Sequence, residues 1–509
     1  MQTPGNLGSL FDASRDPHKP ALIVPAVADD GAQPEVRMTY AELDALADAI
    51  ARGLRARGLR AGDRVAILAA NRADYVAALL GIMRAGLVAV PVNFRFPAAL
   101  STFVIRDSGA RLVFCDAARR PDCPPDLPVV VFDGDGETSV AAFADPGPFD
   151  ALAPAPRTPA MFLYTSGSTG KPKGVMLSHD GHLWVARTRA AAQPPAQHRF
   201  LVAAPLYHMN ALTLVLMALY GHGTVVLLPQ FHARAYIESI DRHRVTWLTS
   251  VPPMIAMMLR ETDALARTDL SSVQHIRMGS APVGESLLAQ IAQVLPNAKV
   301  ANVYGTTEGG PVVFGPHPRG LAQPPLSVGY PHPDVGVKLL DASAEGPASG
   351  VLAIRSPAVM LGYHNRPDLP MPLTDDGYYV TGDVFARDAD GFYAFVGRAD
   401  DMFVSGGENI YPGEVERMLE THPDVAQACV VPVDDDIKGT KPVAFVVPRA
   451  GAALAEDDVK RHALAHAPAY QHPRRVWFVD ALPLASTNKI DRAALRQWAS
   501  DALPRGGPA

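Results

Sequence analysis

The sequence predicts an α/β protein: a large N-terminal domain of mostly parallel sheets flanked by helices, and a small α+β C-terminal domain. The 509 residues exceed one ordinary domain, and 48% of them are hydrophobic, which is enough for sizeable cores. Short apolar segments alternate with helical patterns through the first 400 residues, which is typical of parallel strands covered by helices. Because this alternation changes near residue 400, we predict domains at 1–400 and 401–509.

The first predicted helix has a clear start signal. Thr39 and Glu42 have the spacing of a capping box, and we expect the helix to end near Gly58. The other elements of the large domain follow from their apolar patterns: strands at 64–68, 87–92, 224–228, 245–248, 273–278 and 299–303, and helices at 73–84, 211–220, 233–243 and from Glu285. The segment 116–159, rich in Pro, Asp and Gly, is expected to be an irregular connection.

The segment after residue 400 has elements of its own. Strands are predicted at 427–433, 443–447 and 476–479, and a helix from about Glu456. About 110 residues with their own strands and helices are enough for a separate small domain.

Composition excludes several classes of protein. The net charge of −6 is small for this length and no basic stripe is visible, so nothing supports nucleic-acid binding. We see no secretory signal, and the longest apolar stretch, 211–220, is far shorter than the roughly 20 residues of a membrane span. Cys115, Cys123 and Cys429 form neither a metal-binding spacing nor an even disulfide set. A reducing cytoplasm is therefore the expected location.

The segment 164–175, YTSGSTGKPKGV, has the composition of a phosphate-binding loop. Glycines let backbone N–H groups converge on an anion, hydroxyls add donors, and Lys171 supplies a mobile positive charge. The segment fails the Walker A pattern, because only two residues separate Gly167 from Gly170 and Pro172 follows the lysine. It also lacks the glycine pattern of dinucleotide-binding folds. From these residues alone, a flexible surface loop is an equally good interpretation.

Five motifs in a fixed order settle that choice through a resemblance. They are YTSGSTGKPKGV, YGTTEGG at 304–310, TGD at 381–383, GRADDMFVSGGENIYPGEVE at 397–416 and NKIDR at 488–492. With them, essentially the whole chain resembles the AMP-forming acyl- and aryl-CoA synthetases of the adenylate-forming superfamily. The resemblance implies that ATP converts a carboxylate to an acyl-adenylate with release of pyrophosphate, and that the thiol of CoA then displaces AMP. It implies ATP, Mg²⁺ and CoA as cofactors and co-substrates.

The resemblance also implies which residues hold the nucleotide. The residues expected to clasp the leaving phosphates are Thr165, Ser166, Gly167, Ser168, Thr169, Gly170 and Lys171, with help from Lys173. The residues expected around adenine and the α-phosphate are Gly279, Ser280, Ala281, Pro282, Asn302, Tyr304, Gly305, Thr306 and Thr307. Asp383 would accept hydrogen bonds from the ribose hydroxyls, with Arg398 beside it. Glu308 matches the family's magnesium ligand, and a hard cation prefers such oxygen ligands.

The C-terminal domain is expected to move. Asp401 matches the hinge about which family members rotate this domain between the two half-reactions. One orientation would bring Lys489 to the carboxylate and the α-phosphate, and Asn488, which replaces the family's usual Gly, also tolerates left-handed backbone. The other orientation would bring a loop to the CoA channel: Ser405, Gly406, Gly407 and Glu408. The residues expected to act in catalysis are Lys489, Glu308, Thr165, Lys171 and His208.

The acyl pocket is less clear from the sequence. By resemblance, its expected lining is His208, Met209, Trp247, Gly305, Gly309 and Gly310. His208 has a second interpretation as a satisfied core histidine. We expect Gly309 and Gly310 to leave room beyond the carboxylate. Val303 stands where malonate-type enzymes carry Arg, so a second carboxylate would be unpaired. The sequence thus favours an apolar monocarboxylate, first aromatic or cyclic, then a medium-chain fatty acid.

Alternative functions stay open at this point. One is a stand-alone adenylating enzyme that loads a carrier protein, and another is a non-catalytic nucleotide-binding homologue on the same fold. Retention of Lys171, Glu308, Asp383, Arg398 and Lys489 together argues against the second. Nothing singles out the oxygenation chemistry of a luciferase. The expected partners are small molecules, and the sequence allows a monomer or a homodimer.

Overall fold

A computed structural model describes residues 5–26, 34–165, 171–279, 283–342, 348–405, 408–435, 438–485 and 490–503, without the side chains of Ser286 and Asn409. Strands and helices alternate in the large N-terminal part, and a smaller α+β part follows, as predicted. The α-helices are Tyr40–Ala56, Ala73–Arg84, Ala98–Asp107, Val140–Phe143, His179–Ala192, Met209–Tyr220, Ala233–Arg242, Pro252–Arg260, Thr262–Arg267, Glu285–Val294, Pro412–Glu420, Glu456–His466 and Arg492–Ala502. None of these helices is long and apolar enough to cross a membrane.

Sheet I carries most of the predicted parallel strands. Its spatial order is Lys299–Asn302, His275–Met278, Trp247–Ser250, Arg199–Val202, Thr224–Leu227, Pro20–Val24 and Val36–Thr39. All neighbouring pairs are parallel except the last. Trp247 lies opposite His275, and Thr249 lies opposite Arg277. Because alternate residues of a strand share a face, these four side chains project from one face of the sheet.

Sheet II carries the start of the phosphate-loop motif. Its order is Gly362–Tyr363, Lys173–Ser178, Pro159–Thr165, Val88–Pro91, Arg64–Leu68, Ala110–Cys115 and Val129–Val131. The last five strands are parallel to one another. Lys173–Ser178 is antiparallel to both of its neighbours, Gly362–Tyr363 and Pro159–Thr165. The hairpin formed by Pro159–Thr165 and Lys173–Ser178 therefore supports both ends of the motif.

Sheet III is entirely antiparallel, which the sequence analysis did not foresee. Its order is Phe314–Gly315, Ser327–Pro331, Tyr393–Arg398, Tyr379–Arg387, Ala348–Arg355 and Gly336–Leu340. Among the described residues between 314 and 398 there is no α-helix, so these strands pair without helical crossovers. Asp383 and Arg398 are register partners in this sheet.

Sheet IV belongs to the C-terminal part. Gly439–Pro448 pairs with Phe403–Ser405, Val425–Asp435 and Val476–Phe478, and Glu408–Ile410 extends the sheet beyond Phe403–Ser405. Two apolar clusters built only from residues after 400 pack on this sheet. This separate core fits a separate domain, while the boundary at Asp400–Asp401 stays a prediction.

Most predicted elements lie within two residues of their observed bounds, and the capping box is confirmed. The amide of Glu42 donates to the Thr39 hydroxyl at 3.2 Å, and Glu42 Oε2 accepts from the Thr39 amide at 2.8 Å. The helix ends at Ala56, and Gly58, two residues later, has a φ of +79°, so the predicted end near Gly58 is confirmed. The irregular segment 116–159 also contains the short strand Val129–Val131 and the short helix Val140–Phe143.

Candidate active site

Side chains from two distant parts of the chain meet at Glu308. The Thr165 hydroxyl donates to Glu308 Oε1 at 3.4 Å, and the Tyr363 hydroxyl donates to the same oxygen at 3.4 Å. Lys173 Nζ donates to the Tyr363 hydroxyl at 3.2 Å and lies 4.4 Å from the centre of its ring. The structure thus brings two predicted residues, Thr165 and Glu308, together. Tyr363, which sequence reasoning missed, joins them because its strand pairs with Lys173–Ser178.

A tight turn presents Glu308. Thr306 and Gly310 exchange backbone hydrogen bonds of 3.2 and 3.0 Å, and the Gly309 amide donates to the Thr306 hydroxyl at 2.8 Å. The Glu308 carbonyl accepts from the Met360 amide at 2.8 Å. The backbone on both sides of Glu308 is therefore fixed, which holds its carboxylate in place. Thr307 lies within this turn.

The structure corrects our reason for the two glycines of this turn. A Cβ on Gly309 would collide with Ile354 Cδ1, and a Cβ on Gly310 would lie 2.9 Å from that of Ala358. Gly310 also has a φ of +97°, a conformation that other residues rarely adopt. The space at these positions is filled by neighbouring atoms, so packing explains the glycines and not room for the acid. Their place in the acyl pocket stays a prediction.

A second cluster centres on the carboxylate of Asp383. Arg398 Nη1 donates to Asp383 Oδ1 at 2.9 Å, and the Tyr304 hydroxyl donates to Asp383 Oδ2. Arg398 also binds Asp400, with Nε 2.7 Å from Oδ1. The Asp383 side chain is 7% exposed, while Arg398 is 42% exposed. A buried carboxylate that is already held by a cation and a hydroxyl presents its remaining lone pairs in a fixed direction.

Tyr304 remains a hydrogen-bond donor in this cluster. Burial, followed by the adjacent charge of Asp383, raises the pKa of the Tyr304 hydroxyl well above its ordinary value. Its ring packs edge-on against Phe385, with centroids 4.8 Å apart. Because Tyr304 and Arg398 both donate to Asp383, the structure brings these three predicted residues together.

The other predicted residues lie where these sheets end. Gly279 follows strand His275–Met278, and a Cβ there would lie 2.9 Å from Val303 Cγ2, so the backbones approach closely. Asn302 donates to the Leu326 carbonyl at 3.2 Å. Lys171 Nζ lies 5.7 Å from the Phe103 ring centre. Ser405 is buried and pairs with Glu408 in sheet IV.

Several predicted residues lie outside the part of the chain that the structure describes. They are Ser166, Gly167, Ser168, Thr169, Gly170, Ser280, Ala281, Pro282, Gly406, Gly407, Asn488 and Lys489.

Among the predicted acyl-pocket residues, His208 and Met209 lie at the start of helix Met209–Tyr220, and Trp247 begins a strand of sheet I. His208 precedes the helix, and its ring lies 4.4 Å from that of Tyr207. Met209 is buried, as is Trp247, whose ring lies 4.6 Å from His275. Tyr207 and Trp247 belong to separate apolar clusters, so a common pocket lined by these rings stays a prediction.

Two arginines in the same region were missed by sequence reasoning. Arg277 Nη1 donates to Asn210 Oδ1 at 2.9 Å, and Arg189 Nη1 donates to the Thr213 hydroxyl at 3.0 Å. Both acceptors lie on helix Met209–Tyr220 and both are neutral. No carboxylate oxygen of the described residues lies within 4.0 Å of either guanidinium. Arg277 sits in an ordinary strand pattern between His275 and Met278, so only the paired geometry reveals it.

Burial acts on both guanidinium groups. It lowers the pKa of Arg277 to about 10, and it lowers the pKa of Arg189 well below its ordinary value, with a further contribution from the charge of Arg277. Each side chain nevertheless keeps part of its surface accessible.

Comparison with known proteins agrees with this geometry. The model for AMP-binding enzymes matches residues 11–364, and the model for their C-terminal domain matches residues 414–489. This chain belongs to the AMP-binding enzyme family. As an AMP-binding enzyme it is an AMP-forming acyl- or aryl-CoA synthetase of the adenylate-forming superfamily, which confirms the resemblance.

Individual relatives cover nearly the whole length of this AMP-binding enzyme. Feruloyl-CoA synthase of Amycolatopsis sp is 33% identical over 492 residues, which span 90% of this chain and 94% of that protein. Fatty acid–[acyl-carrier-protein] ligase ScoC of Streptomyces coeruleorubidus is 33% identical over 516 residues, which span 97% and 96%. The solved structure of the anthranilate CoA ligase AuaEII in complex with anthranoyl-AMP has a TM-score of 0.87 at 25% identity, covering 99% of this chain and 98% of that one. A small carboxylate, ATP and CoA are thus the substrates that fit this family.

Proposed function

We propose that this enzyme activates a carboxylate with an aromatic or cyclic body as an acyl-adenylate and transfers the acyl group to CoA. The contact between Thr165 and Glu308 carries this proposal, because it joins two of the five motifs across 143 positions. The predicted phosphate loop begins at Thr165, and Glu308 is the predicted magnesium ligand. Their meeting point is therefore the proposed place of the departing pyrophosphate.

Magnesium fits the donor set at Glu308. Carboxylate oxygen is a preferred ligand of Mg²⁺, and no Lys or Arg nitrogen of the described residues lies within 4.0 Å of this carboxylate. The two hydroxyls that reach it are neutral, so its charge is available to a cation. Bound there with ATP, Mg²⁺ would neutralise phosphate charge. Thr165 and Tyr363 would hold the carboxylate in position.

The remaining roles follow the motifs. The Asp383 carboxylate, held by Tyr304 and Arg398, would orient the ribose, and Lys171 would contact the leaving phosphates. We propose that Lys489 approaches the α-phosphate when residues 401–509 rotate about Asp401. Both half-reactions develop negative charge, which cationic groups stabilise. The second orientation would place Ser405 and Glu408 beside the CoA arm.

The preference for an aromatic or cyclic acid rests on the pocket lining and on the relatives. His208 and Trp247, which the resemblance assigns to the pocket, are aromatic, and feruloyl-CoA synthase and the anthranilate CoA ligase act on aromatic acids by name. A medium-chain fatty acid is the second candidate. The sequence also predicted a monocarboxylate without a second charged group, and the buried arginines weigh against that part.

A different acceptor is the main alternative. Similarity to ScoC, a ligase that by name acts on an acyl-carrier protein, favours a carrier protein in place of CoA. We further propose a cytoplasmic enzyme, since ATP and CoA are cytoplasmic substrates, working as a monomer or homodimer.

The test is a reaction of the full chain with ATP, Mg²⁺ and a panel of carboxylates, with and without CoA. AMP, pyrophosphate and thioester should appear together for certain aromatic acids only when CoA is present. Pyrophosphate without thioester would favour a carrier-protein acceptor. Absence of AMP with every acid would instead support the non-catalytic homologue.

A further inference from the structure

Three hydrogen-bond donors in and beside the arginine pair have no acceptor in the part of the chain that the structure describes. Among the described residues, Arg189 Nη2, Asn210 Nδ2 and the Thr249 hydroxyl are buried and have no hydrogen-bond partner. Thr249 is 0% exposed and lies opposite Arg277 on the same face of sheet I. Asn210 must direct its oxygen to Arg277, which can only donate, so its NH₂ group points elsewhere.

This arrangement has an excess of positive charge. Arg189 and Arg277 donate to Thr213 and Asn210, which lie three residues apart on one side of the same helix, and both acceptors are neutral oxygens. Burying a charge without a counter-ion is strongly unfavourable, and guanidinium groups remain protonated at neutral pH. An anion among these donors would remove this penalty, and a carboxylate would match a guanidinium with two parallel hydrogen bonds.

The position of the cluster indicates which anion. Asn210 follows His208 and Met209, and Thr249 lies two residues after Trp247 on the same face of the strand. His208, Met209 and Trp247 are predicted to line the acyl pocket. The proposed phosphate site at Thr165 and Glu308 has its own groups and does not include these arginines.

We propose that the carboxylic acid substrate carries a second anionic group, a carboxylate, and that Arg277 and Arg189 bind it at the end remote from the reacting carboxylate. This inference rests on the proposed function. It makes Arg277 and Arg189 specificity-determining residues: an acid whose remote end is apolar would leave the donors unpaired. The acid is then a dicarboxylate with an apolar body, of which one carboxylate is converted to the thioester.

The test compares acids in matched pairs that differ in the remote group: terephthalate with 4-methylbenzoate, 4-carboxycinnamate with 4-methylcinnamate, and adipate with hexanoate. We expect kcat/KM for thioester formation to favour at least one dicarboxylate over its methyl partner by about 10-fold or more, since buried donors reject analogues that cannot pair. Arg277→Met should reverse this preference, and Arg277→Lys should retain part of it. Arg187→Met, an equal charge change at an exposed position of the same helix as Arg189, should leave the preference unchanged.

Other outcomes separate this inference from the proposed function. Methyl acids that match or exceed their dicarboxylates, with a ratio that Arg277→Met does not alter, would overturn the second carboxylate and keep the ligase. If no acid yields AMP, the proposed ligase activity is wrong. Calorimetric titration of the full chain with each dicarboxylate then tests whether the arginines bind an anion. Binding that Arg277→Met and Arg189→Met both abolish supports the site, and no binding at millimolar concentration overturns it. Arg189→Met serves in both assays if Arg277→Met does not fold.

Discussion

The two sides of the proposed active site differ in how their charged groups are paired. On the nucleotide side, Asp383 is paired with Arg398, and Arg398 also binds Asp400. On the acyl side, Arg189 and Arg277 contact neutral oxygens, and no described residue offers them a carboxylate. The nucleotide is the same in every turnover, so its binding groups can be held in place beforehand. On the acyl side, the second carboxylate of the substrate would neutralise the two arginines. Their unfavourable burial in the free enzyme would therefore favour acids that carry this second carboxylate.

The contrast predicts opposite stability effects for two buried arginines. The Arg84 side chain is 4% exposed and binds Asp44 and Asp48, each at 2.6 Å. Arg84→Met should lower the free energy of unfolding by about 3–5 kcal/mol, because it leaves the carboxylates of Asp44 and Asp48 without this cation. Arg189→Met should leave stability unchanged or raise it, because it removes an unpaired charge. Urea unfolding of both variants without substrate checks this, and equal losses would show that Arg189 has a counter-ion after all.

The largest expected effect on catalysis belongs to Lys489, the cation that we propose acts at the α-phosphate. Lys489→Ala should slow adenylate formation by about 10²–10³-fold, since one group that stabilises developing charge typically contributes that much. Thioester formation from a supplied acyl-adenylate should largely persist. Pyrophosphate exchange measures the first half-reaction, and thioester release from synthetic acyl-adenylate measures the second.

Losses of similar size in both halves would contradict this division of labour. Lys173→Ala is a suitable comparison, because Lys173 is engaged with Tyr363 and is expected to affect the first half-reaction less.

How much of this was predictable depends on the kind of signal. The strand Arg64–Leu68 and the helix Ala73–Arg84 match their predicted bounds because their apolar periods are local properties of the chain. The antiparallel sheet III was missed because no α-helix of the described residues separates its strands, so the alternation of strands and helices gave no guide to their pairing. Motifs predicted Thr165, Glu308, Tyr304, Asp383 and Arg398, and the structure brings these residues into two clusters.

The arginine pair shows what motifs do not contain. Arg189 and Arg277 are 88 positions apart in the sequence and belong to different elements. Their relation depends on helix Met209–Tyr220, which presents an acceptor to each. Sequence reasoning instead examined Val303 for a cation, found none, and predicted an apolar acid. A charge that is contributed by another strand is visible only after the sheet is assembled.

The paired side of the comparison can be tested at Asp383. Asp383→Ala should raise KM for ATP by about 10–100-fold with little change in KM for the acid, because a hydrogen bond to a charged group contributes roughly 1.5–3 kcal/mol. Asp400→Ala is the matched control: it removes another carboxylate from Arg398, but the Asp400 side chain is 65% exposed. Its effect should stay within about twofold, as for most exposed pairs. Equal effects of the two changes would place the role in Arg398 rather than in Asp383.

The smallest expected effect comes from Glu420, an acid that has no ion-pair partner among the described residues. Unlike an arginine, it can become neutral near pH 7 by binding a proton. Glu420 ends helix Pro412–Glu420, and a Cβ on Gly284 of the large domain would lie 2.6 Å from its Oε2. Burial, then the charge of nearby Glu416, raises the pKa of Glu420 from 4.5 to about 7. Between these values the folded protein keeps a proton that the unfolded chain has lost, so the contribution of Glu420 to stability falls as pH rises toward 7.

Glu420→Gln tests this directly, because glutamine keeps the oxygen that accepts from the Ala428 amide but does not ionise. Thermal midpoints between about pH 5 and 8 should show the wild type losing a degree or two relative to the variant as pH rises, with no further divergence above the pKa. A constant difference across this range would mean that the Glu420 carboxylate is ionised at its contact with Gly284. Glu420 would then remain charged without an ion-pair partner among the described residues, as Arg189 and Arg277 do. Its ability to take up a proton would no longer distinguish this acid from the two arginines.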